Sequence, residues 1–217
     1  MADFLPMVRL DSFGSRGCGL SWRFDSYAGT LQAHSPEEVA PLIDAVEKGV
    51  AEGMYAVGFV AYEAGSALNP DLPAASSCET LPLAWFALYR SRIPCRAGEG
   101  LPPVEGCIDP PQPLMKASDY LTAIGKTKRY IEAGDCYQVN LTFPLQGCCP
   151  EEPLALYHRI CLGQQAPFGA FIDTGRHLVL SASPELFFSL REGVVTTRPM
   201  KGTAQRGRWP EEDCQAA

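Results

Sequence analysis

The sequence predicts an α+β protein, in which helices and strands occur in separate runs. One stretch near residue 40 carries apolar residues at helical spacing. A second stretch near residue 140 alternates between apolar and polar residues, which is the period of a strand. Residues 168–198 then contain several short β-rich segments with no helical segment between them. Such grouping favours α+β over a doubly wound α/β sheet.

The first predicted helix extends from Ser35 to Glu52. Ser35 can cap this helix, Pro36 suits its first position, and Glu38 completes a capping box. Gly53 is expected to end it. The apolar residues of the helix fall on one stripe and are Val39, Leu42, Ile43, Val46 and Val50.

Two strands are predicted next, at Met54–Tyr62 and Leu83–Tyr89, on either side of a Pro-containing loop at Asn69–Thr80. From Ile93 to Pro113 the composition shifts to Pro and Gly with little periodicity. This segment is the best candidate for a boundary between two subdomains.

A helix capped by Ser118 and ended by Gly134 is predicted after this boundary. It leads into a predicted strand, Cys136–Leu145, with apolar residues on one face and Gln138, Asn140 and Thr142 on the other. Periodicity leaves two interpretations of the polar face, namely contact with solvent or the wall of a cleft.

The last third of the chain is predicted to hold one helix, Pro153–Cys161, and then strands with a tight turn at Gly193. A further helix is predicted to begin at Pro210 and to run to Ala217. The predicted strands are Phe168–Asp173, Leu178–Ser183, Leu186–Arg191 and Val194–Arg198.

The composition excludes several classes of protein. The 217 residues are 46% hydrophobic and 20% charged, with a net charge of -7 and a pI near 5.0. An acidic chain does not suit nucleic-acid binding, and no apolar run is long enough for a membrane span. The start of the chain does not resemble a signal peptide, so we expect a cytoplasmic location without nucleic-acid or membrane partners. Nine cysteines without a Cys-x-x-Cys pair favour reduced thiols.

Residues 181–188 and 198–207 carry the strongest chemical signal. Pro184 fixes the backbone before Glu185, and Gly202 allows a ligand to approach the main chain beside Lys201. A partly buried amine is a nucleophile, and a carboxyl group with a raised pKa donates a proton to a leaving group. Taken singly, the lysine is also typical of an exposed turn and the glutamate of a strand start.

Three blocks of sequence, residues 131–142, 183–185 and 198–203, resemble the chorismate-binding enzymes in order and spacing. Residues 62–64 and 81–86 are similar to the N-terminal region of the aminodeoxychorismate synthases within that family. The resemblance implies an incomplete fold like that of anthranilate synthase component I. It assigns 1–95 to an N-terminal subdomain, 96–114 to a linker and 115–217 to part of the chorismate-binding domain.

Two positions bear on the reaction that the resemblance implies. Family members that add water to chorismate have a lysine where this sequence has Gln138, and anthranilate synthases typically have alanine where it has Lys201. We therefore expect conversion of chorismate and ammonia to 4-amino-4-deoxychorismate, for p-aminobenzoate and folate synthesis. A glutamine amidotransferase partner would supply the ammonia. Anthranilate synthesis is the alternative reaction, and a truncated non-catalytic fragment or interaction module is an alternative of another class.

The resemblance also implies roles for individual residues. Lys201 would be the nucleophile and Glu185 the general acid/base, while four residues would hold the substrate: Gly202, Thr203, Gln138 and Asn140. The family's Mg²⁺ ligands are expected beyond Ala217, so no metal ligand is expected in this chain. The isolated chain is therefore expected to be inactive.

Two short stretches, Leu10-Asp11-Ser12 and Pro167-Phe168, resemble the tryptophan-like effector pocket of the family. Core packing is the alternative interpretation of both.

Overall fold

The structure of the chain is a computed structural model that describes residues 4–14, 20–69, 71–72, 81–105, 109–149, 152–199, 209 and 212. The described residues form two compact units, one within Met1–Pro102 and Tyr157–Ala217 and the other within Pro103–Leu156. The architecture is α+β, as predicted. The predicted division into a subdomain at 1–95, a linker at 96–114 and a second domain at 115–217 stays a prediction.

The strands of the described chain are β1 (Met7–Asp11), β2 (Ser21–Ala33), β3 (Tyr55–Val60), β4 (Ala84–Cys95), β5 (Gln112–Pro113), β6 (Leu145–Gln146), β7 (Phe168–Asp173), β8 (Leu178–Ser183), β9 (Leu186–Arg191) and β10 (Val194–Arg198). The helices are α1 (Pro36–Ala51), α2 (Gly65–Leu68), α3 (Ala117–Ala133) and α4 (Pro153–Gln164), with a 3₁₀ turn at Tyr62–Ala64.

Six strands of the larger unit form one antiparallel sheet in the order β3-β4-β2-β1-β7-β8. The short strand β1 holds this sheet together, because it pairs with β2 on one side and with β7 on the other. Leu10 lies opposite Trp22 in β2 and opposite Ala170 in β7. The beginning of the chain and its last third therefore share one sheet.

Alternate residues of β4 point into two apolar clusters on opposite faces of the sheet. Trp85, Ala87 and Tyr89 belong to one cluster, and Ala84 belongs to the other, which α1 covers. The α1 side chains in that second cluster include Val39 and Leu42, which are buried. Full burial of side chains of this size contributes about 1.5–3 kcal/mol each.

Helix α1 confirms the first predicted helix. The Glu38 carboxylate accepts hydrogen bonds from the backbone N–H groups of His34 (2.7 Å) and Ser35 (3.1 Å). These contacts form the glutamate side of the capping box. The predicted stripe is right except at its end, where Val50 is 49% exposed.

All four strands predicted between residues 168 and 198 are present with the predicted bounds. The turn between β9 and β10 consists of Glu192 and Gly193, with φ values of 51° and 77°. Two consecutive positive φ values are typical of the type I′ turn of a tight hairpin. The glycine at 193 is therefore a conformational requirement.

The prediction for β4 was too short, and β1 and β2 were not predicted. Strand β4 continues past Tyr89 into the Pro/Gly-rich segment because β2 provides a partner along its full length, from Ala33–Ala84 to Ser21–Cys95. The register of β2 against β4 shifts between Tyr27 and Gly29, which places a bulge there, and the nearby Ser26 has a φ of 58°. The bulge interrupts the alternation by which a strand is recognised in a sequence.

The predicted strand Cys136–Leu145 was wrong over most of its length. Within the described residues, only its last residue pairs, as part of β6 with β5. Tyr137, predicted on the packed face, is 88% exposed. Alternation predicts an extended conformation, but a strand also needs a neighbouring strand in a hydrogen-bonded ladder, and none of the strand pairs among the described residues includes 136–144.

Helix α3 confirms the next predicted helix with a different cap. Lys116 is the N-cap, while the Ser118 hydroxyl donates to the Asp119 carboxylate at 3.3 Å. Gly134 ends the helix in the left-handed conformation, with φ 81°.

Helix α4 is present and extends to Gln164, and only Glu212 of the predicted final helix is described. No helix in the described ranges has both the length and the apolar character that a membrane crossing requires.

Candidate functional site

A pocket of about 360 Å³ lies at the base of the β9–β10 hairpin. It contains Glu185, the predicted general acid/base, together with residues from the end of β8 and from both hairpin strands. Its lining residues are Ser183, Glu185, Leu186, Phe187, Thr197 and Pro199. The pocket therefore joins two of the three sequence blocks that signalled chemistry.

Local hydrogen bonds hold the backbone of Glu185 in place. The Ser183 hydroxyl accepts from the Glu185 N–H at 3.3 Å and lies 3.1 Å from the Glu185 carbonyl, to which it donates. Pro184 restricts the backbone between these two residues. The turn thus presents a half-buried carboxyl group to the pocket from a constrained position.

A β-bulge shapes the opposite wall of the pocket. Ser189 pairs with Thr196 and Leu186 pairs with Arg198, so that Phe187 and Phe188 together face the single residue Thr197. Bulges of this kind redirect a side chain and often lie beside functional sites. The two phenyl rings are perpendicular, with centroids 5.1 Å apart, and Phe187 lines the pocket.

Sequence analysis did not identify Phe187 and Thr197 as site residues. A signal was present, because three consecutive apolar residues, 186–188, interrupt the alternation of a strand. Lys201, Gly202 and Thr203 lie outside the described residues. The last described residue of that segment, Pro199, lines the pocket two positions before Lys201.

Gln138 and Asn140 belong to the smaller unit and lie in the extended segment after α3. Both side chains are exposed, and the Gln138 amide donates to the Asn140 side-chain oxygen at 3.2 Å. This contact places the two amides on the same side of the segment, as the alternation predicted. Their substrate-binding role stays a prediction.

The two stretches predicted to form an effector pocket lie side by side in the larger unit. Asp11 in β1 pairs with Gly169 in β7, and the Phe13 N–H donates to the Ala166 carbonyl at 2.9 Å. Leu10, Ser12 and Pro167 flank these pairings, and Phe168 begins β7. The sequence therefore identified two segments that the fold brings together.

A buried polar cluster surrounds the Asp11 carboxylate, whose side chain has no exposed area. Arg9 donates from Nη2 to Oδ1 at 2.8 Å and also donates from Nε to Oδ2. The Tyr157 hydroxyl donates to Oδ2 at 3.0 Å, and the Gly98 N–H donates to Oδ1 at 3.3 Å. All four contacts reach one side chain, so the carboxylate is fully hydrogen-bonded.

The cluster changes the pKa values of its members. Burial lowers the pKa of Arg9, but hydrogen bonding and attraction to Asp11 outweigh it, so the pKa is raised. Burial raises the pKa of Tyr157 far above its usual range, and the nearby Asp11 charge adds to the effect. Burial also raises the pKa of the Cys161 thiol, to about 11. The raised pKa values of Tyr157 and Cys161 favour a neutral phenol and a neutral thiol. The raised pKa of Arg9 favours the charged guanidinium of the buried ion pair.

The segment that follows β4 covers this cluster. Arg9 Nη1 donates to the Glu99 carbonyl at 2.6 Å, and His158 Nδ1 lies 2.8 Å from the Pro102 carbonyl. Gly98 has φ 77°, and a Cβ there would lie 3.2 Å from His158 Nε2. A residue other than glycine would be strained at this position.

A second pocket of about 360 Å³ lies between β2 and α1 and is lined by Leu31, Gln32, Glu37, Glu38, Pro41 and Leu42. Its Glu38 carboxylate is occupied by the capping interactions of α1.

The described residues contain no group of three or more His, Cys, Asp or Glu side chains placed to hold a metal ion. The carboxylate-rich oxygen ligand set that suits Mg²⁺ is thus not assembled among them.

In a comparison with known families, the family model of the chorismate binding enzymes matches residues 102–217. That range contains α3, the segment with Gln138 and Asn140, and the pocket at Glu185.

Comparison with curated proteins finds relatives with two activities. Aminodeoxychorismate synthase component 1 of Klebsiella aerogenes is 37% identical over 99 residues, which are 46% of this chain and 22% of the relative. Aminodeoxychorismate synthase of Streptomyces griseus is 36% identical over 135 residues, or 60% of this chain and 19% of the relative. Anthranilate synthase component 1 of Cereibacter sphaeroides is 41% identical over 97 residues, or 43% and 19%. The chain thus spans about a fifth of the length of these relatives.

Proposed function

Because the chain belongs to the chorismate binding enzyme family, we propose that it is part of an aminodeoxychorismate synthase component 1. The proposed reaction converts chorismate and ammonia to 4-amino-4-deoxychorismate, a precursor of p-aminobenzoate and folate. The ammonia comes from glutamine through a partner amidotransferase. The matching relatives with this activity support the proposal.

The observation that carries the proposal is the pocket at the base of the β9–β10 hairpin. Glu185 and Pro199 both line this pocket, and Lys201 follows Pro199 by two residues. A carboxyl group and an amine are the pair that acid-assisted nucleophilic displacement needs, and the position of Lys201 in the sequence, two residues after a pocket residue, supports its assignment as the amine.

In the proposed mechanism, the Lys201 amine attacks the chorismate ring, and the C4–OH bond breaks. Glu185 donates a proton to the departing hydroxyl, which leaves as water. Ammonia then forms a bond at C4 and displaces the lysine amine, which regenerates the enzyme. Gly202, Thr203, Gln138 and Asn140 hold the substrate in this mechanism.

The aromatic wall at Phe187 suits the apolar side of a carbocyclic substrate, whereas Thr197 offers a hydroxyl on the same side of the pocket. The fold we propose is like that of anthranilate synthase component I. Residues 1–95 form its N-terminal subdomain, 96–114 a linker and 115–217 part of the chorismate-binding domain.

We further propose Mg²⁺ as the cofactor of the enzyme, with ligands outside these 217 residues. When bound, the cation neutralises substrate carboxylates. The isolated 217-residue chain is accordingly proposed to be inactive with chorismate, in a cytoplasmic setting.

An effector pocket at Leu10, Asp11, Ser12, Pro167 and Phe168 is a separate proposal. The pairing of β1 with β7 supports it, because this pairing brings the two stretches together. Titration with tryptophan, followed by calorimetry, tests it.

Anthranilate synthase component 1 is the second candidate function, since a relative with that name is 41% identical. The test is an assay of the full gene product with chorismate, Mg²⁺ and ammonium. Formation of p-aminobenzoate only after addition of an aminodeoxychorismate lyase supports our proposal. Direct formation of fluorescent anthranilate contradicts it.

The same assay tests the residue assignments. Lys201→Ala is expected to abolish aminodeoxychorismate formation or divert the product, and Glu185→Gln to lower kcat about 10²–10⁴-fold. Glu192→Gln, in the hairpin turn, is the matched control and should keep activity. Unchanged kinetics in Lys201→Ala would remove this lysine from the mechanism.

A non-catalytic fragment or interaction module is the alternative from another class. The nucleotide sequence after the codon for Ala217 tests it. A reading frame that continues into an acidic helix supports the enzyme, whereas an immediate stop codon supports the non-catalytic product.

A further inference from the structure

We propose that Arg9 is a built-in ligand of Asp11, which competes with any external cation for this buried carboxylate. The cluster is then a binding site for a guanidinium group, and the Arg9 side chain occupies this site. The inference concerns the proposed effector region and is independent of the reaction at Glu185.

The Asp11 carboxylate has no remaining place for a ligand. A carboxylate has about four acceptor positions. Arg9 takes one on each oxygen, Gly98 takes another on Oδ1, and Tyr157 takes another on Oδ2. An incoming ammonium or guanidinium group must therefore replace a donor rather than join them.

Arg9 is the donor that a cation would replace. Its two contacts form the forked, two-point arrangement that a planar guanidinium makes with a carboxylate. A third nitrogen, Nη1, donates to the Glu99 carbonyl at 2.6 Å. The Asp11 carboxylate and the Glu99 carbonyl together accept from three nitrogen atoms of one guanidinium group. This set of acceptors suits a planar guanidinium better than a compact ammonium group.

A second polar atom in the same region has unused hydrogen-bonding capacity. Ser12 follows Asp11 and is only 8% exposed, and its Oγ has no hydrogen-bond partner among the described residues. Buried polar atoms are rarely left unpaired.

The test removes the internal ligand and supplies an external one. Arg9→Ala in the 217-residue chain deletes an ethylguanidinium group, and ethylguanidinium chloride replaces it. Thermal unfolding is followed by circular dichroism, against sodium chloride at equal ionic strength. Arg9→Ala is expected to unfold at a lower temperature than the wild type. Ethylguanidinium at about ten times its dissociation constant should raise this midpoint by about 3–6 °C and leave the wild type unchanged.

Arg23→Ala is the matched control. Arg23 also contacts Glu99, at 3.5 Å, but this contact is exposed. Its loss should neither lower the midpoint nor create a response to ethylguanidinium. The double variant Arg9→Ala/Asp11→Ala lacks the carboxylate and should not respond either.

Several outcomes overturn the proposal. If the wild type responds to ethylguanidinium as strongly as Arg9→Ala does, Arg9 does not compete with the added cation. If folded Arg9→Ala does not respond, removal of the arginine has not vacated a binding site. An equal response to ethylammonium would contradict the guanidinium preference. If Arg9→Ala does not fold, refolding from urea is compared with and without ethylguanidinium. Recovery of the native spectrum only with ethylguanidinium supports the proposal, and no recovery contradicts it.

Discussion

Single hydrogen bonds to Asp11 and to a neutral carbonyl are expected to differ in strength. Tyr157 donates to the Asp11 carboxylate at 3.0 Å, whereas Tyr89 donates to the Pro6 carbonyl at 2.9 Å. Both rings are buried. A hydrogen bond to a charged group contributes about 1.5–3 kcal/mol, and one to a neutral group about 0.5–1.5 kcal/mol.

Tyr157→Phe should therefore lower the free energy of unfolding by about 1.5–3 kcal/mol, and Tyr89→Phe by about 0.5–1.5 kcal/mol. Urea unfolding of the two variants measures this difference. Equal losses would contradict a charged carboxylate at the centre of the cluster.

The buried thiol of Cys161 predicts a loss of stability at alkaline pH. Burial raises its pKa from 9.0 to about 11. The unfolded chain releases this proton at a lower pH than the folded chain, so the unfolded state is favoured as pH rises from about 9 towards about 11. Below about pH 9, ionisation of this thiol should not change the free energy of unfolding.

Cys161→Ala should flatten the fall in unfolding free energy between about pH 9 and about pH 10, below the main tyrosine range. The measurement is urea unfolding at several pH values, with Cys148→Ala, an exposed cysteine, as the control. A Cys161→Ala profile as steep as that of the wild type would contradict the effect.

At the residue scale, local signals describe local structure. Ser183, Pro184 and Glu185 are adjacent in sequence and form one turn in the structure, while the catalytic role of Glu185 stays a prediction. The role of Arg9 could not be predicted from the sequence, because its contact with Glu99 forms only when distant segments meet.

At the scale of elements, the pairing of β3 with β4 depends on a glycine. Gly58 lies opposite Phe86, and a Cβ at this glycine would overlap the Trp85 carbonyl and lie 2.7 Å from the Phe86 Cα. The overlapping atoms belong to backbone, which cannot move aside without breaking the ladder.

Gly58→Ala should destabilise the chain by about 1–3 kcal/mol, as overpacking does in a well-packed region. Gly29→Ala is the control, because a Cβ at this β2 position meets no atom within 4 Å. It should be neutral or slightly stabilising, since glycine weakens strands. Chemical denaturation of both variants tests the contrast, and equal effects would contradict it.

Helices were predicted better than strands for a physical reason. The hydrogen bonds of α1 and α3 lie within each helix, so local caps and periodicity are enough to predict them. The bonds of β2 lie with β1 and β4, and a bulge between Tyr27 and Gly29 hides its period. The 136–144 segment has the period of a strand but is in none of the strand pairs among the described residues.

At the scale of the whole molecule, the β9–β10 hairpin exposes apolar side chains. These residues are Phe187, Phe188, Leu190, Val194 and Val195. Among the described residues this hairpin pairs with no further strand, and unpaired strand edges with exposed apolar residues favour association with other chains. The 217-residue chain is therefore expected to self-associate and to be poorly soluble.

The double variant Leu190→Lys/Val195→Glu should reduce this association, because it replaces a cross-strand apolar pair with opposite charges. Ser189→Lys/Thr196→Glu is the control, since it adds the same charges at the neighbouring polar pair. Sedimentation velocity measures the fraction of oligomers. Similar oligomer fractions in both variants would indicate that charge rather than apolar exposure controls association.

Local sequence was sufficient to predict the α+β class, the presence of the helices α1, α3 and α4, the four strands between residues 168 and 198 and the tight turn at Gly193. Each of these depends on neighbours a few positions apart. The six-stranded sheet, the full length of β4, the bulge that brings Phe187 to the pocket and the Arg9–Asp11 cluster followed from folding alone. The sheet, the length of β4 and the burial of the Arg9–Asp11 pair depend on contacts between segments far apart in the chain, whose pairing no local pattern specifies. The bulge depends on the register between the two strands of one hairpin.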